Sequence, residues 1–337
     1  MEAASYYDCR ATIIGIRRDP LKGESNPQLC FGDETLQARV PDDHFLMRIE
    51  RHIDWRALEV MLGTAYSPLG RSSAPPLVCL KMLLLEQWFD LSDPACEAAC
   101  RDRLSFMRFL GIGLSEAVPD ETTLSRFRKR LREAGLDARL FAEVTRQLEA
   151  RHLIIKRGTL IDATIVQSAR KPPMPRGGSH AADREAGFAV HRTKGVRHGY
   201  KFHVAVDQGS ELIRAARVTP GQVHDSRVAE QLIQFDEQAV YADKAYDDAD
   251  RRLLLKHAGI EDGVLHKSYR NRPMSRAKRR RNKVLMRIRA HVERVFADWK
   301  CRRSLKRCRY VGLRQNQTHA WLLAIAHNLR RLSVLAA

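Results

Sequence analysis

The spacing of apolar residues changes once along this chain, near residue 153. From about residue 42 to 150 they recur every three or four positions, the period that lines one face of a helix. Residues 53–62 are amphipathic. Pro75 and Pro76 open the apolar stretch LVCLKMLLLEQWF, where proline suits a first turn. LSDPACEAACRDRLSFMRFLGI predicts a short helix begun near Ser92 and Asp93, then another. PDETTLSRFRKRLREAG predicts a helix capped by Asp120 or Thr122 and stopped by Gly135, and LDARLFAEVTRQLEARHL one more. Residues 1–31 keep no period and are expected to be a loosely ordered leader.

After residue 153 the runs are short and β-branched. GTLIDATIV reads as a strand, and residues 167–199, rich in Pro, Gly, Arg and Lys, as a long mobile loop. YKFHVAVD and ELIRAARVTP read as a hairpin about Gln208, Gly209 and Ser210. HDSRVAEQLIQF predicts a helix begun near Asp225, where Asp225 is most simply an N-cap. AVYADKAY reads as a strand, DADRRLLLKHAG as a helix closed by Gly259, and VLHKSY as a last strand. Two helices end the chain. Three strands followed by alternation predict a mixed sheet with helices on its faces, behind a separate all-helical region.

The composition is globular: 337 residues, 44% hydrophobic and 29% charged. The formal net charge of +19 alters the picture, because it calls for a polyanion such as DNA or RNA, or less often an anionic membrane. Apolar runs stay well short of the ~20 residues of a membrane span. The start, MEAASYYDCRATIIGIRRD, has no secretory pattern, and seven scattered cysteines suit a reduced, cytoplasmic protein. Cys96 and Cys100 are one helical turn apart, but no histidine or second cysteine pair completes a zinc set.

Three acids stand out by placement. Asp162 interrupts the apolar strand TLIDATIV, and Asp243 ends AVYAD. Glu293 lies in RAHVERVFADWK, where Arg289, Glu293, Phe296 and Lys300 share one helix face, while Leu285, Ile288, Val292, Val295 and Trp299 form an apolar stripe facing a core. Ligands gather beyond strand ends in open sheets, and carboxylates suit Mg²⁺. Two such ions serve phosphoryl transfer. Each acid also has an ordinary reading. A strand Asp caps or pairs, and an exposed helix ion pair at Glu293 is worth ~0.3–0.5 kcal/mol.

Several blocks then resemble the bacterial DDE transposases of the insertion-sequence-five group, in order over roughly residues 32–332. VPDDHFLMRIERHIDW, LSDPACEAACRDRLSFMRFLGI and VPDETTLSRFRKRLREAGL are similar to that group's N-terminal helical domain. LIDATIV, HGYKFHVAVD with TPGQVHDS, YADKAYDD, and RAHVERVFADWK with RYVGLRQNQTHAWLLAIAHNLRR resemble its catalytic blocks. The resemblance implies an α+β chain in three parts: a leader 1–31, an N-terminal helical DNA-binding domain 32–152, and a ribonuclease H-like catalytic domain 153–337. It implies that Asp162, Asp243 and Glu293 are catalytic and hold two Mg²⁺ ions, with Mn²⁺ as a substitute. Arg289 and Lys300 match the cations of the C-terminal signature, with three residues before Glu293 and six after it. The signature's tyrosine position is Met286, and Ala245 stands where glycine is usual.

The resemblance also implies cleavage at element ends and joining of 3′-hydroxyls to target DNA. The partners would be double-stranded DNA, as terminal inverted repeats and target, and a second copy of the chain in the DNA complex; no membrane partner is expected. A nucleoid-associated, cytoplasmic place follows. A catalytically silent DNA-binding derivative and a structure-specific nuclease are the rival readings. Further DNA contacts are expected from Lys244, from Lys201 and His203 on one strand face, and from Arg126, Arg128, Lys129 and Arg130 on one helix. Residues 267–283 carry nine basic residues and no acid, with Arg279, Arg280 and Arg281 adjacent. His224 and Asp225 are expected to support the metal ligands from behind. Between Asp243 and Glu293 lie forty-nine residues, little room for a large inserted domain.

Overall fold

The computed structural model describes residues 36, 38–66, 73–172, 182–191, 195–269 and 273–336, so the leader 1–31 lies outside the described residues. Helices come first: α1 (Phe45–His52), α2 (Trp55–Gly63), α3 (Pro76–Phe89), α4 (Asp93–Asp102), α5 (Leu104–Leu110), α6 (Glu121–Glu133) and α7 (Leu136–Ala150). Local chemistry sets their ends. The Asp54, Ser92 and Asp120 side chains accept from the backbone N–H groups of Ala57, Ala95 and Thr123. Pro76 starts α3, and Gly135, at φ 64°, turns the chain from α6 into α7.

The sheet follows: β1 (Thr159–Gln167), β2 (Gly187–His191), β3 (Gly195–Asp207), β4 (Ile213–Pro220), β5 (Ala239–Ala242) and β6 (Glu261–Val264). The helix α8 (Ala249–His257) precedes β6, and α9 (Arg276–Arg302) and α10 (Leu313–Leu335) close the chain. β1 pairs antiparallel with β3 and parallel with β5, β5 pairs parallel with β6, and β4 and β2 pair antiparallel with β3. The segment read as a loop therefore contains β2 and the start of β3. Its Pro, Gly and Arg content masks the short alternating run GFAVH, which pairs with GVRHG. The segment after Asp225 is a 3₁₀ turn, Asp225–Gln231, and not an α-helix. Its cap is His224, whose ring accepts from Ser226 N–H, because Asp225 is turned to a lysine. The last strand falls earlier than VLHKSY, since parallel pairing with β5 fixes Ala239 opposite Glu261.

Each sheet face has its core. Ile161, Ala205, Val240, Ala242, Tyr246 and Leu255 pack under the 3₁₀ turn and α8. The opposite face shares one continuous core with the helices: Leu160, Val204 and Ile213 belong to the same apolar cluster as Leu83, Phe106 and Leu140. α10 joins the two, lying between β4 and the helices α7, α3 and α1, which is why so much of its surface is apolar. Asn328 and Gln317 on α10 complete the edge of β4: their side-chain carbonyls accept from Ile213 and Val218 N–H at 2.7 and 2.8 Å, and their amides donate to Ile213 and Ala216 carbonyls. Backbone groups of an edge strand that water would otherwise solvate are thus paired inside the protein.

Candidate active site

Register builds the site. In the parallel pair, Ile161 of β1 lies opposite Ala242 of β5, so the next residues, Asp162 within β1 and Asp243 just past the end of β5, follow side by side where that pairing stops. Ile161 and Ala242 are wholly buried in the core below. Strand alternation turns Asp162 to the other face, and at the end of the parallel pairing both aspartates line a groove of about 600 Å³, to which Thr164, Phe188, Val190, Arg197 and Lys300 contribute together with Lys201, His224 and Asp225.

The long helix α9 packs across β1 and β5 with Leu285, Val292, Val295 and Trp299 of its apolar stripe buried; Ile288 is half-buried, and Phe296, expected on the face of Glu293, is buried as well. Its polar face meets the aspartates. The Arg289 guanidinium donates to Asp162 at 2.8 Å, and the Lys300 ammonium donates to the Thr164 hydroxyl, two residues further along β1. Burial pushes the Asp162 carboxyl up to about 6. Arg289 and the Ala163 N–H pull it down, and Asp243 pushes it up. A half-compensated carboxylate beside a second acid is a natural place for a hard cation, and the oxygen donors suit one.

The third acid is placed differently. Glu293 is exposed on α9, one turn after Arg289, and does not line the groove. Among the described residues no three carboxylate, histidine or cysteine groups gather as a metal cluster. Asp162 and Asp243 therefore fit a divalent metal as a pair, of which the exposed Glu293 is not a part.

The remaining expected residues divide. Lys201 lines the groove and is held by Asp225 Oδ1 and the Val223 carbonyl, both at 2.8 Å, so Asp225 serves to fix a lysine. His203, expected on the same face, is instead buried against the Thr219 hydroxyl, and burial pulls its pKa down to about 4. Lys244 is exposed in the turn after Asp243. Arg126 and Lys129 are exposed, and Arg130 stacks over the Tyr66 ring at 4.2 Å. Arg128 corrects the expected basic patch: it is buried in ion pairs with Glu86 and Asp93, since a guanidinium on the inner face of α6 must find carboxylates. Arg279 and Arg280 are exposed, whereas Arg281 turns inward to the carbonyls of Asp262 and Val264 and ties α9 to β6. Sequence reading missed Thr164, Phe188, Val190 and Arg197 in the groove. The first follows from alternation with Asp162, and the others required β2 to be seen.

The mixed six-stranded sheet, with two aspartates side by side where its parallel pairing stops, is consistent with a ribonuclease H-like enzyme of the DDE class. Residues 34–130 match the family described as Transposase domain (DUF772), and residues 155–329 match Transposase DDE domain. The chain belongs to the Transposase DDE domain family; it is a transposase, and that membership implies DNA binding. No solved structure matches it. No helix among the described residues is long and apolar enough to cross a membrane.

Proposed function

We propose that this transposase is of the insertion-sequence-five group, cuts DNA at the ends of its own element and joins the freed 3′ ends to target DNA. The observation that carries this is the side-by-side exit of Asp162 and Asp243 into a groove walled by Lys201, Lys300 and Arg197. Asp162 and Asp243 would hold the two Mg²⁺ ions, for which Mn²⁺ substitutes, and Glu293 would join them only once DNA and metal are bound. Bound metal supplies activation of a water or a 3′-hydroxyl and positive charge at the leaving oxygen.

The chain's own groups do the rest. Lys201, fixed by Asp225 and the Val223 carbonyl, presents its ammonium to a phosphate without losing side-chain freedom on binding. Lys300 and Arg197 add charge along the same wall, and Arg289 exchanges Asp162 for a phosphate oxygen when DNA enters. The exposed cations Lys244, Arg126, Lys129, Arg279 and Arg280 extend the contact to neighbouring phosphates. Pairing of two element ends calls for two copies of the chain in the DNA complex.

The test is cleavage and joining of a labelled duplex carrying the sequences that flank this gene, with Mg²⁺ and with EDTA. Mg²⁺-dependent nicks at the ends and joined products are expected. Binding without cutting would move the reading to a silent DNA-binding derivative, and cutting without end preference or joining to a structure-specific nuclease.

A further inference from the structure

A helix laid on a sheet by one apolar stripe has two flanks, and α9 is charged on both. At about 100° per residue, Arg289 and Lys300 fall on the flank that meets Asp162 and Thr164, while Arg287, His291 and Arg294 fall on the opposite one. That second flank overlooks a cleft of about 660 Å³ between α9, the β3–β4 turn, the end of α10 and the segment before β1. Arg157, Arg287, Arg294 and Arg331 surround it, over a floor of Leu160 and Ile288.

The walls of the cleft are held in place. The Glu211 side chain, 16% exposed, takes Arg294 at 2.9 Å, His291 at 3.4 Å and Arg331 at 3.6 Å. The Arg331 guanidinium also donates to the Ser210 carbonyl. Gly209, at φ 106°, lets the turn close on Ile155, which a Cβ there would strike. Arg157 and Arg287 are exposed and make no ion pair among the described residues.

Charge distinguishes this cleft from the groove of the aspartates. In the groove Arg197, Lys201 and Lys300 are matched by Asp162, Asp225 and Asp243, so a phosphate gains little there until a cation is bound. In the cleft four arginines face one carboxylate, an excess of three positive charges. Such a hollow attracts a phosphodiester without any metal, and guanidinium forks fit its oxygens in pairs. Between the two flanks the crest of α9 carries Ala290, Ala297 and Cys301, exposed and small, so a DNA backbone can cross it closely.

We propose that this cleft is a metal-independent phosphate site, which holds DNA backbone on the flank of α9 away from the aspartates. The inference rests on the reading of this chain as one that acts on DNA. DNA is held at the cleft before metal arrives, and the phosphate to be cut reaches the aspartates across the crest.

The experiment uses the full chain in EDTA with two labelled duplexes, one carrying the element end and one of unrelated sequence, and filter binding across salt. The variant is Arg157→Ala with Arg287→Ala, which leaves the ion pairs of Glu211 intact. It should bind about tenfold more weakly, flatten the log–log salt slope by about 2 and melt at the native temperature. Lysine at both positions should restore the slope. Loss on the element end alone assigns the cleft to the flank of the cut duplex, and loss that includes the unrelated duplex assigns it to any duplex, target included. Ethylation interference should lose, in the variant, contacts at phosphates other than the one cut. At saturating protein in Mg²⁺ the variant should cut within about threefold of the native rate. An unchanged slope on both duplexes, or slower cutting with binding unchanged, overturns the inference alone. A native chain that binds with its full slope in EDTA and cuts nothing in Mg²⁺ overturns the cleavage reading and leaves the cleft in place. A native chain that binds neither duplex overturns both.

Discussion

The Arg289 guanidinium lies 2.8 Å from Asp162 Oδ2, the acid that β1 delivers beside Asp243. One cation of the chain thus occupies a carboxylate that a divalent ion would need. Arg289 also keeps a buried Nε with no partner among the described residues, so its position is set by Asp162 more than by a network of its own.

Competition between the guanidinium and a metal gives the first prediction. Without DNA, Arg289→Ala should bind Mn²⁺ about five- to tenfold more tightly than the native chain, because a partly buried charge-assisted bond no longer has to break. Paramagnetic resonance titration reads this directly. Equal affinities would show that ion and guanidinium do not share the site.

Glu293 is exposed in the free chain, so its role is a statement about the loaded enzyme. Glu293→Gln should lower Mg²⁺-dependent cleavage by more than about a hundredfold and leave duplex binding and thermal stability unchanged. Full cleavage by this variant would remove Glu293 from the metal ligands.

The basic start of α9 separates into two kinds of arginine. Replacing Arg279 and Arg280 with Ala should flatten the log–log salt dependence of DNA binding by about 2 and leave stability alone. Arg281→Ala should instead lower the unfolding midpoint, since it frees α9 from β6. Filter binding across salt, beside a thermal melt, separates the two outcomes, and an unchanged slope in the double variant would refute the phosphate contacts.

Arg128 should behave as a core residue. Arg128→Ala leaves Glu86, which is wholly buried, without its cation, and should cost ~3–5 kcal/mol by denaturant unfolding. Lys129→Ala on the exposed face should cost less than about 0.5 kcal/mol. A small loss in Arg128→Ala would return it to the DNA-facing surface.

Two histidines of α10 set a pH dependence. Burial pulls His319 down to about 3 and His327 down to about 4, and their rings donate to the Gln87 side chain and the Glu211 carbonyl. Both values lie below the 6.5 of an ordinary histidine, so between them the unfolded chain binds protons that the folded chain refuses. Stability is therefore complete above about pH 6.5 and falls as pH drops toward 4, by up to ~1.4 kcal/mol per pH unit for each histidine. Urea titrations at several pH values should show a flatter acid slope in the His319→Gln, His327→Gln variant. An identical slope would show that these rings are not the groups that charge.

Much of this protein is written in local order. The period of three to four gives the helices, Asp54, Ser92 and Asp120 cap them, and Gly135 ends α6 through its positive φ. The stripe from Leu285 to Trp299 names the buried face of α9 before any partner is known. These features depend on neighbours within a few positions, and a sequence displays such neighbours.

What the tertiary structure decided depends on partners far apart in the chain. The cluster Arg126, Arg128, Lys129 and Arg130 on α6 looks like one surface, yet Arg128 turns inward because Glu86 and Asp93 wait there. Lys201 and His203 alternate alike on β3, but one enters the groove and the other the interior, because Asp225 and Thr219 come from different elements. β2 is too short to announce itself inside a Pro-, Gly- and Arg-rich stretch, and exists through its register with β3. The helical region shares its core with the sheet, because α10, last in sequence, is packed between them. Asp162 and Asp243 are legible as candidates from the strands they interrupt, but pairing across eighty residues of chain is what sets them side by side. Burial, ion pairing and strand register are energies of contact between distant segments, and no local pattern contains them.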